Sequence, residues 1–484
     1  MTEPHELTAV QQAAAIRRRE LSPVELVEHY LTRIGAHNGA LGAFVTVTDE
    51  TARDQAKRAE VAVTMGEELA PLHGVPVAVK DLTATAGVRT TYGAVPFAEY
   101  VPDTDAEVVR LLREAGTISL GKTATSEFGT TLYTENRLHP PARNPWRTEL
   151  SPGGSSGGAA VAVAAGLVPV AQGSDGGGSL RVPAALCGLV GYKPSRGLVS
   201  NGPGGAGFGF ASNGPLGRTV ADVAALLDAM AGPVPGDPFL PPPRPAEGSY
   251  LAALRRPTGP LRIARFTDPP LYDVRPHPDC LRACARAGAL LDGLGHEVLD
   301  VPGPYSPELL ADFRIVQSGL VGGWVLAERP EDLTPMTRWL GEQGGRYTAR
   351  DVLAAHGRLQ DAVRRATAAL AGFDLVLTPT LARPTVRIGH FAAMHPSDDF
   401  DAQTAFSPYC SVYNISGQPA VSLPVDGTAD GLPVGVMLAA PLGDDARLLA
   451  TAAAVERVAG WADRHPVIWG GPRSANVKRD TRSR

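Results

Sequence analysis

The sequence predicts an α/β fold in which helices cover a mixed β-sheet, and three observations support this class. Short runs rich in β-branched residues alternate along the chain with amphipathic helical patterns. Apolar residues make up 44 % and charged residues 20 % of the 484 residues, which is typical of a globular protein and excludes a disordered one. The 54 glycines and 43 prolines follow no Gly-X-Y period and therefore indicate many turns. A chain of this length forms one large domain or two to three domains of roughly 150 residues.

The first 65 residues are predicted to be helical. Ser22-Pro23-Val24-Glu25 matches a capping box with proline at the first helical position, and apolar residues follow at helical spacing. Residues 48–62 continue as a second, alanine-rich amphipathic helix. We therefore expect residues 1–65 to form an N-terminal helical segment that packs on the core.

Strands and helices begin to alternate at residue 74. Residues 74–79 are a short β-branched run between turn residues and predict a buried strand that ends at Lys80 and Asp81. The same patterns predict helices at 105–115, 157–165 and 278–294 and strands at 117–120, 167–172, 261–264, 374–380, 419–424 and 433–440.

A proline-rich stretch at 232–260 interrupts this alternation and is predicted to be a long surface connection. It does not mark a convincing domain boundary, because the α/β alternation resumes after it. We assign the α/β domain to residues 66–475 and a polar C-terminal tail to residues 476–484.

Charge and cysteine content limit the partners and the compartment. The formal net charge of −5 provides no electrostatic footprint for nucleic acid or an anionic membrane. The longest apolar run, 159–171, is interrupted by Gly166 and Pro169 and is shorter than the roughly 18 residues of a membrane span. The four cysteines lack the paired spacing of a disulfide framework or a structural zinc site. We expect a cytoplasmic protein that needs neither metal nor cofactor.

Residues 116–123 match the Walker A pattern, but their context is wrong for it. A phosphate-binding loop follows a strand and opens a helix. Here a predicted helix ends at Gly116, and the interior Thr-Ile-Ser-Leu is itself strand-like. We therefore interpret the segment as a helix end followed by a strand. An ATP-binding or non-catalytic protein remains an alternative that a nucleotide titration would test.

Residues 153–157 match the nucleophile elbow of serine hydrolases. That elbow follows a buried strand, whereas the preceding residues 147–152 are polar and end in proline. The later histidines have no evident acidic partner. A Ser-His-Asp hydrolase is thus disfavoured.

Three segments together indicate a catalytic site. Lys80 ends an apolar strand, residues 151–158 form a small-residue loop that opens a helix, and residues 173–183 form a second glycine-serine loop after a strand. Glycine-serine runs are usually linkers, but these two lie between apolar elements, where a linker would not be.

These segments closely resemble the amidase signature family. The resemblance extends from about residue 20 to 460, and the block at 153–194 is highly specific. The matching stretches are 72–76, 144–146, 153–158, 173–183, 188–194, 378–380 and 414–422. Within the family the resemblance is to cyclic-amide hydrolases and aryl acylamidases. It implies one large α/β domain, with a mixed sheet covered by helices on both sides.

The resemblance also implies a Ser–Ser–Lys triad. Ser155 is expected as the nucleophile, Ser179 as the bridging serine and Lys80 as the base. The amides of an oxyanion hole are expected from the loop formed by Gly176, Gly177, Gly178 and Ser179. Asp175 and Arg181 are expected to brace this loop. Ser156 would support Ser155, with an N-cap of the following helix as the alternative.

Elementary chemistry supports a role for Lys80. A serine hydroxyl needs an adjacent proton acceptor to attack an amide. An ordinary lysine, with a pKa of about 10.4, is almost wholly charged at neutral pH. Burial among residues 75–79 disfavours the ammonium, and a pKa of about 7–8 corresponds to roughly 4 kcal/mol of such destabilisation. Asp81 would oppose this, but neighbours on a strand point to opposite faces.

Departures from the family pattern bear on the substrate. Leu82, Ala124 and Met437 stand where many members carry polar residues, which predicts a small amide substrate with an apolar acyl or cyclic part. Residues 406–413 contain no acid to hold a substrate ammonium, which weakens the alternative of a glutaminase subunit of an amidotransferase. The cavity walls are expected from 124–140, 313–324 and 395–413. The oligomeric state stays open, and a homodimer is common in the family.

Overall fold

One eleven-stranded mixed sheet organises the protein in a computed structural model that describes residues 3–203, 208–306, 308–324 and 329–470. The strands are β1 (Phe44–Val47), β2 (Pro76–Lys80), β3 (Ile118–Thr123), β4 (Val170–Asp175), β5 (Val190–Lys193), β6 (Ser212–Gly217), β7 (Arg262–Arg265), β8 (Glu297–Asp300), β9 (Leu375–Pro379), β10 (Ala420–Gly427) and β11 (Pro433–Ala439). Their order across the sheet is β1-β3-β2-β4-β6-β5-β10-β11-β9-β7-β8.

The sheet combines two parallel groups with antiparallel connections. Strand β2 is parallel to both β3 and β4, and β7 is parallel to both β8 and β9. The pairs β1–β3, β4–β6, β5–β6, β5–β10, β10–β11 and β9–β11 are antiparallel. The predicted mixed sheet is confirmed.

Helices lie on both sides of this sheet. They are α1 (Ala9–Arg17), α2 (Pro23–Leu41), α3 (Asp49–Met65), α4 (Glu107–Glu114), α5 (Gly157–Ala164), α6 (Arg181–Cys187), α7 (Val220–Met230), α8 (Tyr250–Ala253), α9 (Pro278–Gly293), α10 (Leu309–Trp324), α11 (Pro335–Gly344), α12 (Ala349–Ala369), α13 (Pro396–Phe406), α14 (Ser411–Ser416) and α15 (Asp445–Ala459). None of these described helices has the length and apolarity of a bilayer crossing.

The alternation of side chains along β2 explains the two-sided core. Val77 and Val79 pack in a cluster with residues of α4, α7, α9 and α15, whereas Ala78 packs in a second cluster with α2, α3 and α5. Successive residues of a strand point to opposite faces, so a strand covered on both faces is apolar throughout. All five residues of β2 are buried.

The helix starts follow the predicted signals. Ser22 caps α2 because its hydroxyl accepts hydrogen bonds from the Val24 and Glu25 amides at 3.1 and 3.3 Å. The predicted helix at 48–62 is α3, and those at 105–115, 157–165 and 278–294 are α4, α5 and α9. The predicted strands at 74–79, 117–120, 261–264, 374–380, 419–424 and 433–440 are also found, within a few residues of their expected bounds.

The N-terminal segment is not entirely helical, contrary to the prediction. Phe44–Val47 forms β1, which pairs with β3 at the edge of the sheet. Its four residues are too few for a periodic signal between two long helices. The strand expected at 167–172 begins later, at Val170. The expected tail at 476–484 lies outside the described residues.

Both misleading motifs have the structures that their contexts predicted. Gly116 has a positive φ of 78° after α4, and Lys122 is a buried residue of β3, so 116–123 does not wrap a phosphate. Residues 151–156, before α5, contain no strand that would support a nucleophile elbow.

Strand β6 depends on glycine at a crowded position. A Cβ on Gly214 would lie 2.3 Å from the Tyr192 carbonyl oxygen and 2.6 Å from Leu180 Cδ1. Gly214→Ala should therefore lower the free energy of unfolding by about 1–3 kcal/mol, as overpacking does. Urea denaturation measures this value.

Gly357→Ala provides the matched control, since its added methyl on α12 has no neighbour within 4 Å. Because alanine favours the helix at this exposed position, the free energy of unfolding should rise by about 1 kcal/mol. Equal stability changes in the two variants would contradict the packing described for β6.

Candidate active site

The candidate site lies where two parallel strands end. Lys80 is the last residue of β2, and Asp175 is the last residue of the neighbouring β4. Because parallel strands end at the same edge of a sheet, the loop that follows β4 lies beside the lysine. The residues that precede α5 complete this edge, and Ser156 N–H donates to the Ser179 carbonyl at 3.3 Å.

Lys80 is completely buried, with 0 % exposure. Its Nζ lies 2.7 Å from Ser155 Oγ and 3.0 Å from Ser174 Oγ. Burial lowers the pKa of Lys80 to about 7, although the Asp175 carboxylate acts in the opposite direction. The expected environment of the amine is thus confirmed.

Asp81 faces away from this amine, as the alternation along the strand predicted. Its carboxylate accepts a hydrogen bond from the Thr91 amide at 3.0 Å and lies 3.8 Å from Lys122 Nζ. Burial lowers the pKa of Lys122 to about 8. Asp81 and Lys122 therefore form a separate buried pair.

The order of the two serines differs from the expected one. Ser179 was expected to bridge Ser155 and Lys80, but the lysine amine contacts Ser155, and among the described residues it has no hydrogen bond to Ser179. Ser155 and Ser179 both line a cavity, whereas Lys80 does not. Ser155 therefore lies between the amine and the cavity. Chain spacing alone contains no information about which hydroxyl folds against the amine.

Two further residues position Lys80 and were not identified from the sequence. The hydroxyl of Ser174 is the second contact of the amine, and the Gln172 side chain accepts a hydrogen bond from the Lys80 backbone amide at 3.0 Å. Both belong to β4. Knowledge that β2 pairs in parallel with β4 would have located both residues. The sequence pattern predicts each strand separately and does not show which strands pair.

Ser156 supports the site through Ser174. Its hydroxyl donates to the Ser174 carbonyl at 3.0 Å and accepts from the Ser174 amide at 3.3 Å. The alternative of an N-cap is wrong, because Ser156 occupies the cap position of α5 without making a capping hydrogen bond.

The glycine loop presents fewer free amides than expected. Gly178 N–H donates to Asp175 Oδ1 at 2.6 Å, so this amide is already occupied inside the protein. The amides of Gly176, Gly177 and Ser179 have no acceptor among the described residues. Three of the four predicted oxyanion donors thus remain available.

Asp175 and Arg181 form a buried ion pair beside this loop. Arg181 Nη2 lies 2.9 Å from Asp175 Oδ1, and both side chains are fully buried. Asn414, which sequence reasoning did not single out, accepts from Arg181 at 2.7 Å and donates to the Asp175 carbonyl at 2.8 Å. Burial alone would raise the pKa of Asp175, but the Arg181 guanidinium holds it well below its usual range.

The cavity above the serines has a volume of about 640 Å³ and no charged lining side chain among the described residues. Its walls come from the three regions expected and also from 82–106 and 201–213. The bulky apolar lining residues are Leu82, Tyr92, Phe97, Phe128, Leu132, Phe210, Phe313, Leu320, Val321 and Phe400. Of the three polar-to-apolar departures, Leu82 lines the cavity, whereas Ala124 and Met437 do not.

One group of potential metal ligands occurs in the described chain, formed by Glu3, His5 and His29. His5 Nδ1 and His29 Nε2 lie 3.0 Å apart and form a hydrogen bond with each other. None of the three lines the cavity, so this group is separate from the candidate site.

The chain matches known proteins over nearly its whole length. The family model described as Amidase matches residues 25–449. An acylamidase of Rhodococcus erythropolis is 38 % identical over 96 % of this chain and 97 % of its own length. The structure of a 6-aminohexanoate cyclic dimer hydrolase superposes with a TM-score of 0.89 at 32 % identity, covering 96 % of this chain and 99 % of the other. A bacterial aryl acylamidase matches with a TM-score of 0.86 at 25 % identity, over 98 % and 100 % of the two chains.

Removal of the cation that faces Asp175 should destabilise the protein strongly. Arg181→Met leaves the carboxylate buried without its charge partner, and we expect a loss of about 3–5 kcal/mol in the free energy of unfolding. Chemical denaturation measures this loss. The double variant Asp175→Asn/Arg181→Met should lose less than the sum of the two single variants.

Arg364→Met is the matched control, because Arg364 pairs with Asp361 on the exposed surface of α12. An exposed pair contributes about 0–1 kcal/mol. A loss in Arg181→Met no larger than in this control would contradict the bracing role.

Proposed function

This chain belongs to the amidase family and hydrolyses a carboxylic amide bond, and we propose that Lys80, Ser155 and Ser179 carry out the reaction. The contact of 2.7 Å between Lys80 Nζ and Ser155 Oγ is the observation on which the proposal depends. It favours Ser155 as the proton relay and Ser179, in the glycine loop, as the nucleophile. These roles exchange those that the sequence predicted for the two serines.

In the acylation step the uncharged Lys80 amine accepts the proton of Ser155 Oγ. Ser155 Oγ accepts in turn the proton of Ser179 Oγ, which attacks the amide carbon. The same relay then delivers a proton to the leaving nitrogen as the C–N bond breaks. The amine departs, and the acyl group remains on Ser179 as an ester.

Ser179 also has the more suitable surroundings for attack. Its own amide and those of Gly176 and Gly177 are unoccupied within the described chain and lie in the same loop. Such amides stabilise the negative charge that develops on the carbonyl oxygen, and a nucleophile's own amide often takes part. Loss of one donor typically costs about 3–4 kcal/mol of transition-state stabilisation.

Deacylation repeats these steps with water as the nucleophile. Water transfers a proton through Ser155 to Lys80 while its oxygen attacks the ester carbon, and Ser179 recovers its proton when the acyl group leaves as the acid. Each residue therefore ends the cycle in its starting protonation state. No metal or cofactor takes part in the proposal.

The cavity favours an uncharged substrate with an apolar acyl or cyclic part. Aromatic and aliphatic side chains dominate its walls, and an ion would lose hydration there without gaining a counter-charge. Free glutamine carries both an ammonium and a carboxylate, so the glutaminase alternative lacks support. Turnover of apolar amides and of glutamine by the isolated chain compares the two functions directly.

We place this reaction in the cytoplasm, on a stand-alone chain or a homodimer. All four cysteines are buried free thiols, which fits a reducing compartment. The negative net charge favours neither nucleic acid nor an anionic membrane as a partner. Light scattering of the purified protein measures the oligomeric state.

A fluorophosphonate should label Ser179, and mass mapping of the modified peptide identifies the serine. Ser179→Ala should abolish labelling, and Lys80→Met and Ser155→Ala should each lower kcat by at least about 100-fold, as loss of an acid–base group does. Thr404→Val is the control, because the hydroxyl of this cavity residue donates only to the Phe400 carbonyl of its own helix. A label on Ser155, or full activity in Lys80→Met, would refute the assignment.

Activity should rise with pH through about 7, the pKa to which burial lowers Lys80. Below this pH the amine carries a proton and is unable to accept another, whereas above it the base is free and kcat/KM should reach a plateau. Lys193 is an equally buried lysine whose pKa burial also lowers to about 7. Lys193→Met should therefore keep the rise of kcat/KM with pH. If this rise disappears in Lys193→Met, Lys193 and not Lys80 is the base.

A further inference from the structure

We infer that Gln317 binds an uncharged amide group of the substrate, so that the enzyme selects substrates with a second amide beyond the scissile one. This inference rests on the proposed function, because it assumes that the scissile carbonyl lies at the glycine loop. Three observations carry it. They are the place of Gln317 on α10, the state of the other amides in the cavity and the apolar character of the walls.

Gln317 lies on the face of α10 that forms one wall of the cavity. Phe313, Gln317 and Leu320 all line the cavity, at positions i, i+4 and i+7 of this helix. Phe313 Cζ lies 3.7 Å from the place that a Cβ on Gly177 would take. This face therefore begins beside the glycine loop, and Gln317 lies about one helical turn, roughly 6 Å, further along it.

Gln317 differs from the other side-chain amides of the cavity. Gln403 donates to Asp399 and accepts from the Leu132 amide, both at 2.7 Å. Asn213 donates to the Ser200 carbonyl at 2.9 Å, and Asn201 donates to the Ala211 carbonyl at 3.2 Å. Unlike these three side chains, the half-buried side chain of Gln317 makes no hydrogen bond to another residue in the part of the chain that the structure describes.

The hydroxyls of the threonine wall residues are occupied in the same way. Thr130 donates to the Glu127 carbonyl at 2.8 Å, Thr131 to the Tyr133 carbonyl at 2.9 Å and Thr404 to the Phe400 carbonyl at 2.9 Å. Hydrogen bonds within the protein thus fix these polar groups of the wall. The amide of Gln317 stays free to bind a ligand.

The chemistry of a primary amide determines the matching group. Gln317 offers donors and an acceptor but no charge, so a second amide satisfies both kinds of hydrogen bond at once. The neighbouring Phe313 and Leu320 exclude water once a substrate fills the cavity, and an unpaired amide is then costly. A substrate without a second polar group leaves Gln317 unsatisfied and binds less tightly.

Competition between two matched amides tests this inference. Turnover of hexanoyl-4-nitroanilide serves as the reporter, and N,N′-dimethyladipamide and N-methylheptanamide compete with it. The wild-type enzyme should bind the diamide about tenfold more tightly than the monoamide, the value of one hydrogen-bonded pair. Gln317→Leu should remove this preference, because the diamide loses its hydrogen bonds to the side chain and the monoamide no longer leaves the Gln317 amide unpaired.

Two further variants make the result specific. Gln343→Leu, the same exchange on α11 outside the cavity lining, should keep the preference of the wild type. Gln317→Glu should lose affinity for the diamide and gain about tenfold for 6-amino-N-methylhexanamide, whose ammonium pairs with the new carboxylate. Reporter turnover in each variant shows that the protein is folded.

The outcomes distinguish a failure of the Gln317 role from a failure of the proposed function. Equal binding of the diamide and the monoamide by the wild type, or an unchanged preference in Gln317→Leu, overturns the role of Gln317 while reporter turnover upholds the amidase. If Gln317→Leu binds the diamide and the monoamide more weakly by the same factor, the role of Gln317 is purely structural, and the inference is overturned as well. Turnover of the reporter by Ser179→Ala would instead overturn the proposed mechanism, whatever the result at Gln317.

Discussion

The site depends on a desolvated lysine amine and a charged carboxylate that lie at the same buried edge of one sheet. Asp175 by itself would hold the proton on Lys80 and so prevent the lysine from acting as a base. Arg181 balances that carboxylate directly, and Asn414 binds both groups. The desolvated environment then determines the protonation of Lys80, while Asp175 keeps its charge and fixes the glycine loop through the amides of Gly178 and Leu180.

The strand pairings bring the charged and polar groups of the site together. Parallel β2 and β4 bring Lys80, Ser174 and Asp175 to one edge, and β6 covers the other side of β4. Close backbone approach at Gly214 lets β6 fit against its neighbours without a side chain at that position. The proposed catalytic groups thus lie on central strands and on the short segments that follow them, where small displacements are resisted.

The sequence predicted those features that local chemistry determines. The apolar run before Lys80 indicated a buried amine, and the cap at Ser22 and the periodic apolar residues placed α2. Features set by pairing between distant segments were not predictable in this way. Ser155 and Ser179 are chemically equivalent in the sequence, and only the packing of their loops decides which one contacts Lys80. Strand β6, with its asparagine, glycines and proline, has the composition of a turn and is a strand because β4 and β5 pair with it. The bond from the Gly178 amide to Asp175, three residues earlier, is a local turn contact that an aspartate followed by glycines allows, so this occupied amide was predictable and was missed.

The substrate-facing helices α10 and α13 come from a different part of the chain than Lys80 and its serine partners, which all precede residue 180. Along the chain α10 precedes and α13 follows β9, a strand in the opposite half of the sheet from β2. The wall helices and the residues around Lys80 are therefore encoded by separate stretches of the chain. In a lineage that carries this scaffold, substitutions at a few helical positions alter the shape of the cavity while the residues at the strand ends are retained.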